Sequence, residues 1–284
     1  MSAEAAQARV TVMVFTLDEE LNLPACLESL RWCDDVVVVD SFSGDRTVEL
    51  ARAAGARVLQ RRFTGFGDQR SWALESAAPR HPWVLILDAD ERVPPEMAEE
   101  LRVRLETVGE GVAAFRMARR FHLWGRWLRH SSLYPTYVVR LVRVGRVRYL
   151  NRGHAETQEV DGEIASLATD LVDENRKGLG EWFGRQIRYA GDDAAFELEA
   201  ERRPWRAADL WSDDPLARRA SLKRLAYRLP CRPAAYFFYS YLLRGGFLDG
   251  GRGFVFCVLR SMYQLMVVLR KAELRRARGG AGAA

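Results

Sequence analysis

Short apolar runs and longer amphipathic stretches alternate along the first 118 residues. Val10–Phe15, Val36–Asp40, Arg57–Gln60, Trp83–Asp88 and Val112–Met117 read as strands, with Leu21–Trp32, Thr47–Ala54, Asp68–Ala77 and Pro95–Val108 as the helices between them. That order predicts a parallel sheet wound with right-handed crossovers. Over 119–177 the pattern changes. Trp124, Trp127, Tyr134, Tyr137 and Tyr149 stand among arginines and short alternations such as Tyr137–Val144, which predicts short mixed strands that complete the sheet and wall one side of a cleft. From Gly178 the spacing is helical, over Gly180–Glu199, roughly Leu216–Arg228, Ala234–Leu243 and Phe254–Arg276, with Gly279–Ala284 expected as a frayed tail. The chain therefore reads as α/β: a Rossmann-like, mostly parallel sheet with helices on both faces, in parts 1–118 and 119–177, followed by a helical extension, 178–284.

The strand Trp83-Val84-Leu85-Ile86-Leu87 ends in Asp88-Ala89-Asp90-Glu91. A central strand delivers its C-terminal side chains into the crevice where open α/β sheets bind ligands, so Asp88 and Asp90 converge on a candidate site. Neighbouring carboxylates repel unless a cation sits between them or bridges them to phosphate, and hard oxygen ligands favour Mg²⁺ or Mn²⁺. The competing role is an acidic turn capping the helix near Pro94 and Pro95, but a cap needs one acid and this strand end carries three. Asp40 ends the strand Val36–Val39 on the same edge, ahead of the turn Ser41-Phe42-Ser43-Gly44-Asp45-Arg46-Thr47. There it can accept hydrogen bonds from a base or ribose. Its alternative role, capping the next helix, is less natural because Ser43 and Asp45 lie closer to that helix. Dinucleotide binding is disfavoured: acids Asp18, Glu19 and Glu20 follow the first strand where a pyrophosphate cradle needs glycines, and Gly65-Phe66-Gly67 lies far along the chain without a third glycine.

Composition, 48% hydrophobic and 29% charged, is that of a globular protein. The net charge of +5 is uneven: residues 225–284 hold ten Lys or Arg against two acids, leaving the rest of the chain slightly acidic. Cys26, Cys33, Cys231 and Cys257 lack metal-ligand spacing and suggest reduced, buried thiols in a cytosolic protein. Met1–Arg9 has no apolar signal region, so export is not expected.

Four ordered segments carry a resemblance: Phe15-Thr16-Leu17-Asp18-Glu19-Glu20-Leu21-Asn22, Val36–Asp40 with its turn, Gly65-Phe66-Gly67-Asp68-Gln69-Arg70-Ser71-Trp72-Ala73, and Leu87-Asp88-Ala89-Asp90-Glu91-Arg92. They resemble the family 2 glycosyltransferases, and within them the branch that includes lipopolysaccharide core glycosyltransferases. Arg152-Gly153-His154-Ala155-Glu156, Asn175-Arg176-Lys177-Gly178-Leu179 and Tyr241–Gly250 extend it over nearly the whole chain. The resemblance implies a GT-A fold that binds a nucleotide-diphosphate sugar and transfers the sugar with inversion to a hydroxyl of a glycan or lipid-linked acceptor, in lipopolysaccharide or other cell-surface polysaccharide synthesis. It implies Asp40 on the base, Asp88 on the ribose or phosphates and also near the metal, Asp90 on the divalent ion, and Thr16 and Glu19 among the nucleotide-sugar contacts. Negative charge grows on the leaving diphosphate, and a bound cation with basic donors stabilises it; Arg70 and the Arg176-Lys177 pair are the candidates. Each of these three could instead be a solvated charge.

Inversion in one displacement needs a base opposite the leaving group, for which Glu156 is the first choice. His154 lies two residues before it, on the same face of a strand, where it could orient the acceptor, contact the metal or simply be a surface histidine. His81, His122 and His130 have no partner acid at useful spacing and are expected to be structural. Where the branch usually has His-Glu-Asp-Arg-Lys, this chain has Asp173-Glu174-Asn175-Arg176-Lys177, so Asp173 stands where a histidine metal ligand is usual; Asp18 stands where the family usually has Asn.

Residues 253–269 are apolar except for Arg260, Ser261 and Gln264, shorter than the roughly 20 residues of a spanning helix. With Tyr236–Tyr241 before it and basic flanks, the segment predicts an interfacial surface on anionic lipid, which places the protein in the cytoplasm on the inner face of the membrane; a buried helical hairpin is the rival. A catalytically silent sugar-binding subunit should lack one of the acids, and a nucleotidyltransferase should carry a glycine-rich basic loop after its first strand. Nucleic-acid binding is not supported, since the aromatics at 236–241 lack interleaved basic residues.

Overall fold

The computed structural model describes residues 9–152, 155–202 and 231–280, together with Trp211, Asp214, Arg218, Ser221 and Tyr227; the side chains of 152, 155, 156 and 278–280 are outside the description. The chain falls into two compact units, one ending at Lys177, the other made of His130–Ser132 and the chain from Gly178 onward.

The first unit is built on strands β1 (Val10–Thr16), β2 (Val36–Asp40), β3 (Arg57–Gln60) and β4 (Trp83–Asp88), which pair in the order β3-β2-β1-β4, all parallel. Helices α1 (Leu23–Glu28), α2 (Thr47–Ala53) and α3 (Phe66–Ser76) connect them. Two-residue alternation sorts the buried side chains to two faces. Val12, Val14, Leu85 and Leu87 join Met97 and Leu101 of α4 (Pro95–Thr107), whereas Met13, Val37, Val84 and Ile86 join Ala73 and Ala77 on the α3 side. β5 (Glu91–Arg92) precedes α4; after it come β6 (Val112–Leu123), β7 (Arg126–Trp127) and β8 (Tyr137–Arg143).

Beyond β4 the expected parallel winding gives way to a mixed arrangement. β8 enters between β4 and β6, antiparallel to both, and β6 runs six residues past the predicted end at Met117. β9 (Val147–Arg152) and β10 (Ala155–Val160) form a separate antiparallel hairpin, while β11 (Glu163–Ser166) and β12 (Leu171–Glu174) pair parallel with β6. The hydrophobic pattern marks a strand but not its direction. The first helix stops at Glu28 rather than Trp32: beyond Ser29, whose hydroxyl donates to the Cys26 carbonyl and accepts the Val93 amide, the chain tightens into three-residue turns, Leu30 to Leu27 and Cys33 to Leu30.

Gly65-Phe66-Gly67 serves packing. A Cβ on Gly67 would lie 2.5 Å from the Leu150 carbonyl carbon, and Gly65 holds a φ of 150° beside Asn151, so the start of α3 lies directly on β9.

At the sheet edge opposite the strand tips, buried Asp35 accepts from Thr11 Oγ1 (2.6 Å), the Arg80 amide (3.0 Å) and Arg57 Nε (3.0 Å). Burial alone would raise its pKa, but these donors overcome it and hold the carboxyl below its ordinary value. A depressed folded pKa contributes stability that is complete above the unfolded carboxylate range and is lost as pH falls through the folded value. Asp35→Asn is expected to lower stability by about 1–3 kcal/mol near neutrality, with the deficit shrinking toward about pH 3, as measured by urea midpoints across that range.

The second unit contains α5 (Leu179–Arg202), α6 (Arg232–Phe238), a π-helical turn over Tyr239–Leu243, a 3₁₀ turn over Gly246–Asp249 and α7 (Gly250–Gly280). The expected helix at Leu216–Arg228 lies almost wholly outside the described residues. Ala190 and Ala194 of α5 pack on Tyr263 and Val267 of α7. An ion cluster closes the same face: Lys271 Nζ meets Glu197 (3.0 Å) and Glu201 (2.5 Å), and Arg232 takes both oxygens of Glu197 at 2.8 Å. Supported by such pairs, α7 runs through its charged end. It covers the predicted Phe254–Arg276 and extends past it at both ends to 31 residues, long and apolar enough to cross a membrane by length and composition.

Two histidines expected to lack acid partners have them across long sequence separations. His81 Nε2 lies 2.8 Å from Asp34, and His130 Nδ1 lies 3.1 Å from buried Asp249, which also accepts the amides of His130 and Ser131. Of the four thiols, Cys26 and Cys257 are buried, whereas Cys231 is exposed, contrary to expectation, at the turn before α6.

Candidate active site

Parallel pairing sets the carboxylates side by side. Asp40 is in register with Thr16, and Asp88 with Phe15, so the C-terminal ends of β2, β1 and β4 form one edge. β12 brings Asp173 opposite Glu91, and the Glu174 amide donates to the Asp90 carbonyl at 2.9 Å.

Asp88 is held between two guanidinium groups. Arg70 donates to Oδ1 at 2.8 Å and Arg140 to Oδ2, and Arg140 also reaches Glu91 Oε1 at 2.7 Å. Arg70 is 3% exposed, with its guanidinium over the rings of Phe15 and Tyr149. Burial works against the Asp88 carboxylate, but Arg140 and then Arg70 outweigh it and hold its pKa far below the ordinary range. Glu91, 1% exposed, is shifted upward by burial despite Arg140 and Arg119. Glu91 counts among the three acids of the strand end in the sequence but carries no assigned role there, and Arg119 and Arg140 do not stand out. The one signal for Arg140 is a lone arginine inside the apolar alternation of β8.

Asp90 differs from Asp88. Its Oδ2 accepts from the neutral amide of Asn175 at 2.8 Å, and among the described residues no ion pair involves it. Nearby Asp173 is pushed up to about 8, first by burial and then by the Asp90 charge, although Arg119 lies 3.2 Å away. This corner therefore carries more carboxylate than its cations balance. That donor set, all hard oxygen, fits a divalent cation held by one or two carboxylates and completed by ligand phosphates. Among the described residues no three His, Cys, Asp or Glu side chains form a complete cage.

Asp40 is fully buried and its oxygens accept from Thr16 Oγ1, the Ser43 amide, Ser43 Oγ and Gln60 Nε2. It closes the turn after β2, while Asp45 accepts the Thr47 amide at the start of α2. Asp18 holds a left-handed φ of 54° and accepts the Gly44 amide at 2.7 Å; Asp tolerates that conformation much as Asn does.

The segment after β12 straps onto the loop after β1. The Arg176 amide donates to Asn22 Oδ1 (2.7 Å), and Lys177 Nζ reaches Glu19 Oε1 (2.7 Å) and the Leu17 carbonyl (3.3 Å). Glu19 is shifted upward by burial, with Lys177 opposing and Asp90 adding to the shift. Glu156 pairs in register with Asn151, whose Oδ1 accepts the Gly67 amide at 2.9 Å, so its backbone stands near the start of α3; its side chain and His154 lie outside the described residues. A cavity of about 980 Å³ between α3 and the β9–β10 hairpin is lined by Asp68, Ser71, Tyr149 and Asn151 and includes none of Asp40, Asp88 or Asp90.

The family model described as glycosyl transferase family 2 matches residues 11–169. The lipopolysaccharide core biosynthesis glycosyltransferase LpsC of Rhizobium meliloti is 26% identical over 268 residues, covering 92% of this chain and 91% of that protein. An undecaprenyl-phosphate 4-deoxy-4-formamido-L-arabinose transferase of Pseudomonas aeruginosa is 31% identical over 134 residues, 42% of this chain and 38% of that protein. Among solved structures, a mannosyltransferase from Pyrobaculum calidifontis, in complex with GDP-Man and Mn²⁺, superposes with a TM-score of 0.50 at 17% identity, over 94% of this chain and 88% of that one.

Proposed function

The chain belongs to glycosyl transferase family 2 and has the GT-A fold, and on that premise we propose that it transfers a sugar, with inversion, from a nucleotide-diphosphate sugar to a hydroxyl of a glycan or lipid-linked acceptor in lipopolysaccharide or related cell-surface polysaccharide synthesis. The alignment of Thr16, Asp40 and Asp88 on one sheet edge, with Asp90 beside them and, among the described residues, in no ion pair, carries this reading. The near full-length likeness to LpsC supports the pathway.

Asp90, with Asp173 beside it, would hold Mg²⁺ or Mn²⁺, as the Pyrobaculum enzyme holds Mn²⁺ with GDP-Man. When bound, the ion supplies positive charge where the leaving diphosphate becomes more negative. Asp88 meets the ribose or phosphates from a fixed position, because Arg70 and Arg140 immobilise it; Arg70 thus acts mainly through Asp88. Thr16 and the closed Asp40 turn form the base side of the pocket, and Glu19 holds Lys177, which with Arg176 faces the diphosphate. Glu156 takes the proton from the acceptor hydroxyl as it attacks, and His154 orients that acceptor. The C-terminal helices hold the protein on the inner face of the cytoplasmic membrane, where lipid-linked acceptors reside.

Incubation with a panel of nucleotide sugars is expected to release nucleoside diphosphate, not pyrophosphate, and to invert the anomeric configuration. Glu156→Gln is expected to lower kcat about 10²–10⁴-fold with donor binding retained. Pyrophosphate release, or full turnover in Glu156→Gln, would refute the respective part of this assignment.

A further inference from the structure

α7 is apolar on two opposite sides but packed on only one. Tyr263 and Val267 are buried against α5, and Lys271 is 3% exposed in the ion cluster. Phe254, Met262, Leu265 and Leu269 are 39–57% exposed and, at about 100° per residue, fall within an arc of about 80° facing away from that packed side. The preceding turn adds Leu243, the most exposed of these apolar side chains at 80%, and Phe247 at 50%. This turn is rigid. Tyr241 stacks on Phe237 at 5.3 Å, Phe254 meets both rings, and a Cβ on Gly253 would lie 2.3 Å from the Gly246 carbonyl oxygen.

The charge along this segment is mostly basic. From Cys231 to Arg278 the acids are Asp249, which is 5% exposed and held by His130 and Ser131, and Glu273, which pairs with Arg270 at 2.7 Å, against nine Lys or Arg. An apolar stripe with Arg244 in the turn at one end and, at the same 100° step, exposed Arg276 in line with it at the other fits an anionic bilayer surface.

Length alone would allow α7 to span the membrane, but its partner would have to follow it. Tyr263, near the middle of α7, donates to Asp193 of α5 at 2.5 Å, and Lys271 sits between Glu197 and Glu201. Spanning would carry these carboxylates into hydrocarbon or tear them from their partners.

Resting on the proposed membrane association, we infer that the Leu243–Phe247 turn and the Phe254–Leu269 stripe form a monotopic anchor, with α7 lying in the plane of one anionic leaflet. The apolar stripe enters the headgroup boundary, Arg244 and Arg276 at its two ends meet lipid phosphates, and the α5 side stays above the membrane.

The test uses the full chain and flotation with phosphatidylcholine vesicles, with and without phosphatidylglycerol. Binding is expected only with the anionic lipid, and Leu265→Glu/Leu269→Glu is expected to weaken it on the order of tenfold or more. Both positions are exposed, so circular dichroism and nucleoside diphosphate release from the donor should match wild type. In cells, alkaline carbonate should strip the protein from membranes. Retention after carbonate, equal binding by the double variant, or a wild-type dimer that the double variant dissociates while vesicle binding persists would each overturn the anchor. Donor turnover is read separately, so its failure would strike the transferase assignment and leave this inference to the vesicles.

Discussion

Arg140→Met is expected to destabilise the first unit by about 3–5 kcal/mol, the largest loss from any single substitution near the strand tips. The Arg140 side chain is 5% exposed, and its Nη2 serves Asp88 Oδ2 and Glu91 Oε1 at once. Methionine fills similar volume but removes the charge that two buried carboxylates share. Arg70 remains on Asp88, while Glu91 keeps the Asp88 amide at 2.9 Å and, as its remaining charged partner, the more distant Arg119 at 3.6 Å. An unpaired buried carboxylate costs far more than a lost surface pair, because no water replaces the missing donor. Arg140→Lys restores the charge but offers a compact ammonium in place of the planar fork, so partial recovery is expected. Urea titration of the three proteins measures the series. A loss under about 1 kcal/mol for Arg140→Met would show that the carboxylates have other support.

How far the fold and site could be read in advance depended on which information is local. β2, β3 and β4 occupy the predicted residues because each is a continuous apolar or alternating run closed by a turn or a charge. The carboxylates at the ends of β2 and β4 followed from those runs, since a strand's last residue is fixed once the strand is. Strand direction was not local: nothing in Tyr137–Arg143 shows that β8 inserts antiparallel between β4 and β6. Arg140 was therefore invisible as the partner of Asp88, 52 residues away, although an arginine amid valines is itself a sign of a buried acid. The packing of Gly65 and Gly67 on Leu150 and Asn151 depends on β9 lying beside α3, which is not local information. The spacing reads as helical through the charged last turns of α7, whereas the long-range pairs with α5 that hold those turns are not local information.

Asp90→Asn is expected to lower sugar transfer by at least about 10²–10³-fold and to abolish saturable Mn²⁺ or Mg²⁺ binding, with little change in stability. The asymmetry with Asp88 underlies this expectation. Asp88 is tied to two arginines, so its removal perturbs folding and function together, whereas Asp90 meets an uncharged amide that asparagine can also satisfy. The substitution removes one negative charge from a corner where burial and then the Asp90 charge push Asp173 up to about 8. It should therefore leave the apo protein as stable as before, or slightly more so. What is lost is the charge that attracts a cation, and with it the neutralisation of the leaving diphosphate. Isothermal titration with Mn²⁺, in the presence and absence of nucleoside diphosphate, separates the contributions. Wild type should bind more tightly with the nucleotide present, because phosphate oxygens complete a site that one or two carboxylates begin. Asp90→Asn with unaltered metal binding and turnover would remove Asp90 from the site and shift attention to Asp173 and Glu19, the remaining acids of that corner.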